Sequence, residues 1–369
     1  MHSFFVTIVH IFTKTLVVPP TQSMSDTLTK LAYQTFQQSK SYFGLAHKTL
    51  SAQVMNFVSP TNTKTEPLPT ETLLLLQKRL NKLIEQDWQD SEKGVYPSEL
   101  LFDNPWEDFF RYYPMVWIDV TQIWERIREK RYQDFSPAIK TDGYPKYYLQ
   151  NFHYQTDGYL SDRSANLYDL QVEILFNGSA DAMRRRILEP LKEGLEGKTQ
   201  PRVLDIACGT GRTLKMLRGA LPNASLYGID LSPAYLRKAN QSLSEVRGEL
   251  PQLLQANAEE LPYLDGYFQA VSNVFTFHEL PPEARQRVIE QCYRVLEPGG
   301  VFVICDSIQE ADSPEFAPMM RNFPAMFHEP YYRNYTTDNL VERLEEAGFV
   351  SVETEVHFVS KYWVARKPA

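Results

Sequence analysis

Cysteine is scarce in this sequence. Cys208, Cys292 and Cys305 are the only three among 369 residues, and no two of them form a C-x-x-C pair. An odd number of scattered cysteines supplies neither a disulfide framework nor the paired thiolates of a zinc site. We therefore expect a reducing, cytoplasmic compartment and no bound metal ion.

Positive charge is also in short supply. The formal net charge is −8, the pI is near 5.5, and Lys and Arg form no stripe along the chain. Affinity for a phosphate backbone requires clustered basic side chains. The composition therefore argues against a nucleic-acid partner and leaves a small molecule as the expected substrate.

Long apolar runs are missing as well. The most apolar stretch, "MHSFFVTIVHIFTKTLVVPP" at residues 1–20, is interrupted by His10 and Lys14. It is shorter than the ~20 apolar residues that a spanning helix needs, and it lacks the basic start and cleavage site of a signal peptide. We expect residues 1–23 to be dispensable, either as a wrongly assigned start before Met24 or as a disordered tail.

The N-terminal part is expected to be helical. Apolar residues at helical spacing predict an amphipathic helix at 26–57, and a Pro/Thr-rich linker follows at 59–70. Aromatic residues are dense between 102 and 159, where they either pack helices together or face an apolar substrate. We divide the chain into a tail with an amphipathic helix (1–58), the linker (59–70), a helical, aromatic-rich region (71–160) and a second domain (161–369).

From about residue 200 the pattern alternates between strands and helices. The predicted strands are "RVLDIA", "SLYGID", "QLLQAN", "FQAVSNVF" and "GVFVICD", and amphipathic helices separate most of them. Short apolar strands with intervening helices predict a mostly parallel sheet that is covered on both faces. Ligands of such sheets bind beyond the carboxyl ends of the strands.

A glycine-spaced turn follows the first strand, in "VLDIACGTGRTL" (203–214). Gly209 and Gly211 allow a tight turn and a close approach of a ligand to the backbone. A dinucleotide fold would add a third glycine so that a pyrophosphate could approach the helix N-terminus, and that glycine is missing. Asp205, before the turn, would repel a pyrophosphate but suits a cation.

Two further strand ends carry polar groups suited to a nucleoside. Asp230 closes the second strand, where it either accepts hydrogen bonds from both ribose hydroxyls or pairs with the dipole of the next helix. Asn257 follows the third strand and could accept from an adenine amino group, while the Ala258 N–H could donate to a ring nitrogen. The sequence thus predicts a nucleoside-containing cofactor.

These stretches resemble the class I S-adenosylmethionine-dependent methyltransferases. "VLDIACGTG" is similar to their first motif, "GIDLSPAYLRKA" to the ribose-binding motif, and "NAEELPY" to the adenine-contacting segment. The pattern is most similar to the ubiquinone/menaquinone C-methyltransferase-like (type 11) branch, whose K-Y-D element folds over the cofactor and is matched here by Tyr168 and Asp169. Asn257 departs from this family, which usually has Asp there. The resemblance covers about 200–310 and continues to the end of the chain as a closing antiparallel strand pair.

The resemblance implies an α/β, Rossmann-like class I methyltransferase sheet, mostly parallel with an antiparallel last strand, preceded by a mainly helical N-terminal region. It also implies an enzyme that uses S-adenosyl-L-methionine. The implied cofactor-binding residues are Tyr168, Asp205, Ala207, Gly209, Gly211, Asp230, Leu231, Asn257, Ala258 and Asn273. Two alternatives stay open: a nicotinamide-dependent oxidoreductase, which would explain Asp230 but not Asp205, and a non-catalytic methyltransferase-like scaffold.

The candidate catalytic residues lie in two places. His278 and Glu279 follow the fourth strand, where they either act on the substrate or cap the helix that starts in "PPEARQ". His328 and Tyr331 lie in the insertion at 316–335, where the family places its substrate lid. The Met and aromatic content of this insertion favours a hydrophobic acceptor (quinone-, isoprenoid- or pigment-like) that is reached from a membrane surface through the 26–57 helix. Alternatively, the insertion packs as ordinary core against the N-terminal region.

Overall fold

The computed structural model describes residues 24–58, 68–103 and 106–369. The predicted tail at 1–23 and most of the predicted linker at 59–70 lie outside these residues. The first described element is helix α1 (Met24–Val58), which confirms the predicted amphipathic helix. Within the described ranges, no helix combines the length and the apolar character needed to cross a membrane.

Three more helices complete the N-terminal region: α2 (Thr70–Glu92), α3 (Glu99–Phe102) and α4 (Trp106–Glu129). The first three helices have no core of their own. Tyr33 of α1 and Trp88 of α2 belong to the same buried cluster as Val203 and Leu214, which lie in the second half of the chain. Helices α1 to α3 therefore share one core with the sheet, whereas α4 packs in a separate cluster with α5, the helix at Asp162–Leu175.

A buried ion pair joins the same two parts. Asp87 on α2 is 0% exposed and accepts hydrogen bonds from Arg185, with distances of 2.9 Å from Nε to Oδ1 and 2.6 Å from Nη2 to Oδ2. The Tyr96 hydroxyl donates to the same carboxylate at 2.6 Å. Removing one member of such a pair leaves an uncompensated buried charge, which typically costs about 3–5 kcal/mol.

A coil runs from the end of α4 to residue 161, with a single 3₁₀ turn at Phe152–Tyr154. Helix α5 (Asp162–Leu175) follows, and its first turn is capped by the Ser161 hydroxyl, which accepts from the Ser164 N–H at 3.1 Å. Helices α6 (Ala180–Arg185) and α7 (Leu188–Gly194) then lead to the sheet. The coil and α5 lie over the edge of the sheet that carries the functional site.

The sheet has seven strands in the order β3-β2-β1-β4-β5-β7-β6. Strand β7 alone is antiparallel to its neighbours, β5 and β6, which confirms the predicted mostly parallel sheet with its closing antiparallel pair. The strand bounds are β1 (Arg202–Ile206), β2 (Ser225–Asp230), β3 (Gln252–Gln255), β4 (Phe268–Val274), β5 (Leu296–Ser307), β6 (Val350–His357) and β7 (Ser360–Arg366).

Helices cover both faces of the sheet, and the central strands are therefore apolar on both sides. Val203 and Val303 point into one buried cluster, while Leu204 and Ile304 point into the other. Chain order reverses between β1 and β4, which opens a crevice beyond their carboxyl ends. The remaining helices are α8 (Arg212–Ala220), α9 (Pro233–Ser244), α10 (Pro282–Val295), α11 (Ala317–Met326), α12 (Tyr332–Tyr335) and α13 (Leu340–Glu346).

Candidate active site

The glycine turn lies at the crevice, between β1 and α8. Gly209 and Gly211 both have left-handed φ angles, +54° and +80°. A Cβ added at Gly209 would have only one atom within 4 Å, Tyr235 Cδ1 at 3.9 Å, whereas at Gly211 it would come within 3.0 Å of Leu243 and 3.1 Å of Ala239. Gly209 thus keeps space open on the cavity side of the turn, and Gly211 lets α8 and α9 pack closely.

Asp230 holds this turn from β2. Its Oδ2 accepts from the Gly209 N–H at 2.9 Å and its Oδ1 accepts from the Ser232 N–H at 2.8 Å. Burial is the main reason that the pKa of Asp230 is raised to about 6. Helix α9 is capped by Ser232, whose hydroxyl accepts from the Tyr235 N–H at 3.1 Å. Asp230 therefore faces the cavity with a free lone pair on each oxygen.

Asp205 is placed differently from the sequence-based expectation. It is 2% exposed and is not among the residues that line the cavity, because its Oδ1 accepts from Ser272 Oγ on the neighbouring strand at 2.7 Å. Burial outweighs that hydrogen bond and, together with the charge of Asp230, raises the pKa of Asp205 to about 7. The Asp205 carboxylate is therefore not placed for direct contact with a cationic ligand in the cavity.

Asn273 lines the cavity with an unsatisfied acceptor. Its Nδ2 donates to the Ile206 carbonyl at 2.9 Å and to Thr276 Oγ1 at 3.1 Å. Its Oδ1 is buried and has no hydrogen-bond partner among the described residues. Asn257, farther along the same edge, accepts from the Glu259 N–H at 3.0 Å. Since buried acceptors are nearly always satisfied, Asn273 Oδ1 is suited to an N–H group of a ligand.

Aromatic side chains from the coil before α5 cover the cavity. Tyr147, Tyr148, Phe152 and Tyr159 all line it, and the Tyr147 hydroxyl donates to Glu259 through a short hydrogen bond. Trp124 on α4, in contrast, packs into a buried helical cluster. Part of the aromatic-rich region thus packs helices together, as one alternative predicted, and part covers this cavity, while contact of its rings with an apolar substrate stays a prediction.

Helix α5 closes the cavity from another side. Tyr168 lines it, and the adjacent Asp169 accepts a hydrogen bond from Thr210 Oγ1 in the glycine turn at 2.8 Å. The open space of the cavity, together with the solvent at its mouth, amounts to about 870 Å³. Eight of the ten predicted cofactor-binding residues line it: Tyr168, Ala207, Gly209, Asp230, Leu231, Asn257, Ala258 and Asn273.

A second, largely apolar cavity of about 1100 Å³ lies beside the first. Three residues line both cavities: Tyr168, Phe275 and Glu279. Phe275 has a left-handed φ of +59°. Its N–H donates to the Cys305 carbonyl at 2.8 Å, and this hydrogen bond stabilises the conformation. Its ring therefore stands at the boundary between the two spaces.

The insertion after β5 contributes both to this second cavity and to the core. Met319, Phe323 and Phe327 line the cavity. Phe316 and Met320 are buried in a cluster on which α2 packs. The insertion thus packs partly as core against the N-terminal region, as one alternative predicted, and partly lines a cavity, while its contact with an acceptor stays a prediction.

His278 and Glu279 lie on the 3₁₀ turn Phe277–Glu279, and both line the apolar cavity. They do not cap α10, whose N-cap is Pro281 with no side-chain hydrogen bond. His278 Nδ1 is 2.6 Å from Asp306 Oδ1. Burial opposes the charged imidazolium, but Asp306 and the nearby glutamates outweigh it and raise the pKa of His278 to about 9.

His328 and Tyr331 line neither cavity. His328 stacks on Tyr132, with 4.3 Å between the ring centroids, and its Nε2 is 2.9 Å from Gln150 Oε1. The ring of Tyr331 lies edge-on to that of Tyr147, with 6.4 Å between the centroids. The insertion is thus near the site, but these two side chains line neither cavity.

The residues that the sequence did not predict at the site include His153, Asp306 and Glu329. His153 Nε2 lies 3.0 Å from Glu329 Oε1 and 3.7 Å from Glu279 Oε1. Asp306 is near the end of β5, and the rule that placed Asp230 at a strand end would have found it too. His153 and Glu329 come from a coil and from the insertion, where no such rule applies.

Comparisons with known proteins agree with this geometry. A family model described as "Methyltransferase domain" matches residues 203–300. A demethylmenaquinone methyltransferase of Thermus thermophilus is 35% identical over 139 residues, which cover 38% of this chain and 60% of that protein. The chain thus spans less than two thirds of that relative's length.

Two further relatives are matched over more of their length. An uncharacterized methyltransferase of Synechocystis is 30% identical over 156 residues, covering 42% of this chain and 70% of that protein. A demethylmenaquinone methyltransferase of Thermotoga maritima is 29% identical over 209 residues, covering 52% of this chain and 86% of that protein. These matches favour an enzyme that uses S-adenosyl-L-methionine over the nicotinamide-dependent and non-catalytic alternatives. The chain belongs to the class I S-adenosylmethionine-dependent methyltransferases.

Proposed function

We propose that this enzyme methylates a small hydrophobic acceptor, of quinone-, isoprenoid- or pigment-like chemistry, that is held in the apolar cavity. The observation that carries the proposal is that this cavity and the cofactor cavity share Tyr168, Phe275 and Glu279. Ligands in the two spaces would be separated by no more than these side chains. The names of the Thermus and Thermotoga relatives, both demethylmenaquinone methyltransferases, support an acceptor of this class.

The cofactor cavity fits S-adenosyl-L-methionine by its unsatisfied groups. We assign the ribose hydroxyls to the free lone pairs of Asp230, a ligand N–H to Asn273 Oδ1, and the adenine to the edge formed by Asn257 and Ala258. When bound, the cofactor supplies a methyl group on a positively charged sulfur, so that the leaving group is already activated. The main task of the protein is then to align the two reactants and to exclude water.

The apolar cavity would perform that task for the acceptor. Its aromatic and Met side chains provide an apolar surface that adapts to an irregular ligand. Glu279 and His278 remain our proposed contacts for a polar atom of the acceptor, since both line this cavity. His328 and Tyr331 have no part in the proposal, because they line neither space.

We also propose that the enzyme collects its acceptor from a membrane surface through α1. This helix exposes Leu28, Leu31, Leu45 and Leu50 at 39–61% of their surface. Lys48, between the last two, lines the apolar cavity, where it donates to the Leu175 carbonyl at 2.8 Å. An exposed apolar face would thus adjoin the wall of the acceptor cavity, which is the arrangement that lipid uptake requires.

Label transfer from methyl-labelled S-adenosylmethionine tests the proposal. The purified full chain is incubated with the lipid extract of a strain that lacks the gene for this protein, and this extract is presented in lipid vesicles. In a separate reaction the chain is incubated with the water-soluble extract of the same strain. We expect the label to appear in one lipid, and we expect the deletion strain to accumulate the form of this lipid that lacks one methyl group. We also expect the protein to sediment with the vesicles. Label found only among water-soluble species would contradict the hydrophobic acceptor, and protein left in the supernatant would contradict membrane contact.

A further inference from the structure

Four titratable side chains converge where the two cavities meet. One potential ligand atom from each of His153, His278, Glu279 and Glu329 lies within 4.8 Å of all the others. His153, His278 and Glu279 line the apolar cavity, and Glu279 also lines the cofactor cavity. The group is assembled from the coil before α5, the turn after β4 and the insertion after β5.

Glu329 is the least satisfied member of the group. Its side chain is 0% exposed, and neither carboxylate oxygen has a hydrogen-bond partner among the described residues. Its nearest charged neighbour is His153, whose Nε2 is 3.0 Å from Oε1. Burial of an ionised carboxylate without donors is costly, so this position favours either a proton on Glu329 or a positive ion among the four side chains.

Neighbouring side chains orient His278 and Glu279 in the way that metal ligands are usually oriented in proteins. His278 is bonded through Nδ1 to the fully buried Asp306 at 2.6 Å, so that Nε2 is the ring nitrogen left for a ligand. A carboxylate that fixes a histidine in this way is the usual outer partner of a metal-bound imidazole. Glu279 is fixed in turn by the Tyr159 hydroxyl, which donates to its Oε1 at 2.5 Å.

The dimensions and charge of the group suit a small divalent ion. Metal–ligand bonds of about 2.1 Å place ligand atoms ~3.4 Å apart in a tetrahedron, so atoms that are at most 4.8 Å apart have to approach each other by no more than about 1.4 Å. A metal ion that binds the two imidazoles displaces their protons, and the carboxylates of Glu279, Glu329 and Asp306 then carry a net negative charge that a divalent cation offsets. Two imidazole and two carboxylate ligands are typical of zinc and neighbouring first-row metals.

We propose that His153, His278, Glu279 and Glu329 bind a divalent first-row transition-metal ion, such as Zn²⁺, between the cofactor cavity and the apolar cavity. This departs from the expectation of no metal, which rested on cysteine spacing and did not consider ligands brought together from distant segments. The proposal concerns metal binding alone and does not depend on which acceptor is methylated.

A competition titration tests it. The full chain is stripped with a chelator, dialysed, and titrated with Zn²⁺ in the presence of a chromophoric chelator. We expect one Zn²⁺ per chain, with an affinity that falls more than about 100-fold in Glu329→Gln, because this change keeps the shape and removes the charge. The matched control is His357→Asn, because His357 pairs with Glu355 at 2.9 Å on β6, outside the cluster.

Thermal unfolding in the absence of metal shows whether each variant is folded. If Glu329→Gln fails to fold, His153→Asn replaces it, since the His153 side chain is 20% exposed and its loss is better tolerated. The proposal is overturned if the wild-type chain binds no stoichiometric Zn²⁺. It is equally overturned if a folded cluster variant binds Zn²⁺ as tightly as His357→Asn does.

Discussion

Replacement of Asp230 by Asn tests the cofactor site most directly. Both carboxylate oxygens of Asp230 already accept a backbone N–H, from Gly209 and from Ser232, at 2.9 and 2.8 Å. An amide in the same position has only one oxygen, so its NH₂ group must face one of these two donors. The substitution therefore removes an acceptor for the ribose and loosens the glycine turn at the same time.

The expected size of the effect follows from these contacts. A hydrogen bond to a charged acceptor contributes about 1.5–3 kcal/mol, and the loss of one or two such bonds should cost on the order of 2–4 kcal/mol. Since about 1.4 kcal/mol corresponds to a tenfold change, the Kd for S-adenosylmethionine should rise roughly 30- to several hundredfold. The maximal rate at saturating cofactor should change little, because Asp230 is assigned to the ribose and not to the reacting atoms.

Isothermal titration calorimetry with S-adenosylmethionine and S-adenosylhomocysteine gives the Kd, and steady-state kinetics give the maximal rate. Asp162→Asn serves as the control, since Asp162 pairs at the surface with Arg237 and both side chains are more than 60% exposed. An unchanged Kd in Asp230→Asn would refute the ribose assignment. A fall in the maximal rate at unaltered Kd would refute it as well and would place Asp230 near the reacting atoms.

Three further predictions concern the same cavity. Burial raises the pKa of Asp230 to about 6. The Kd for S-adenosylhomocysteine, measured by calorimetry, should therefore rise about tenfold as the pH falls from 7.5 to 5. In Asp230→Asn the same Kd should not change with pH. The same shift means that the folded state binds more protons than the unfolded state between about pH 4 and 6. The contribution of Asp230 to the stability of the ligand-free protein should therefore decrease as the pH rises through this window. Urea unfolding at several pH values measures this decrease. Gly209→Ala should weaken cofactor binding and should lower the free energy of unfolding by about 1 kcal/mol, because residue 209 has a left-handed φ. Gly211→Ala should lower it further, because the added Cβ would come within 3.0–3.1 Å of α9. Wild-type affinity in a folded Gly209→Ala variant would contradict the assignment of this turn to the cofactor site.

The parts of the site that the sequence predicts well lie at strand ends. In a parallel sheet, the carboxyl ends of neighbouring strands meet at one edge, so the position of Asp230 or Asn273 along the chain also fixes its place in space. The same reasoning brought Glu279 to the cavity. The seven-stranded sheet itself was predictable because each buried strand is short and apolar and is flanked by turn residues.

The remaining parts depend on contacts that no local pattern encodes. Asp205 was placed at the correct strand end, but its direction depends on the register with β4, which sets it opposite Ser272. His153 lies in a coil among aromatic residues, and Glu329 lies in the insertion, next to the predicted catalytic residue His328. Only the packing of the coil and the insertion against the sheet shows that His153 and Glu329 meet.

The shared core of the N-terminal helices and the sheet has a consequence for biosynthesis. The helices emerge from the ribosome first, yet Asp87 cannot pair with Arg185 until Arg185 has been made, and the buried cluster that contains Tyr33 and Trp88 also includes residues of β1 and β5. At ~5–20 residues per second, translation of residues 103–307 takes roughly 10–40 s. During that interval this cluster lacks its members from the sheet, and we expect the nascent chain to bind chaperones that act at the ribosome.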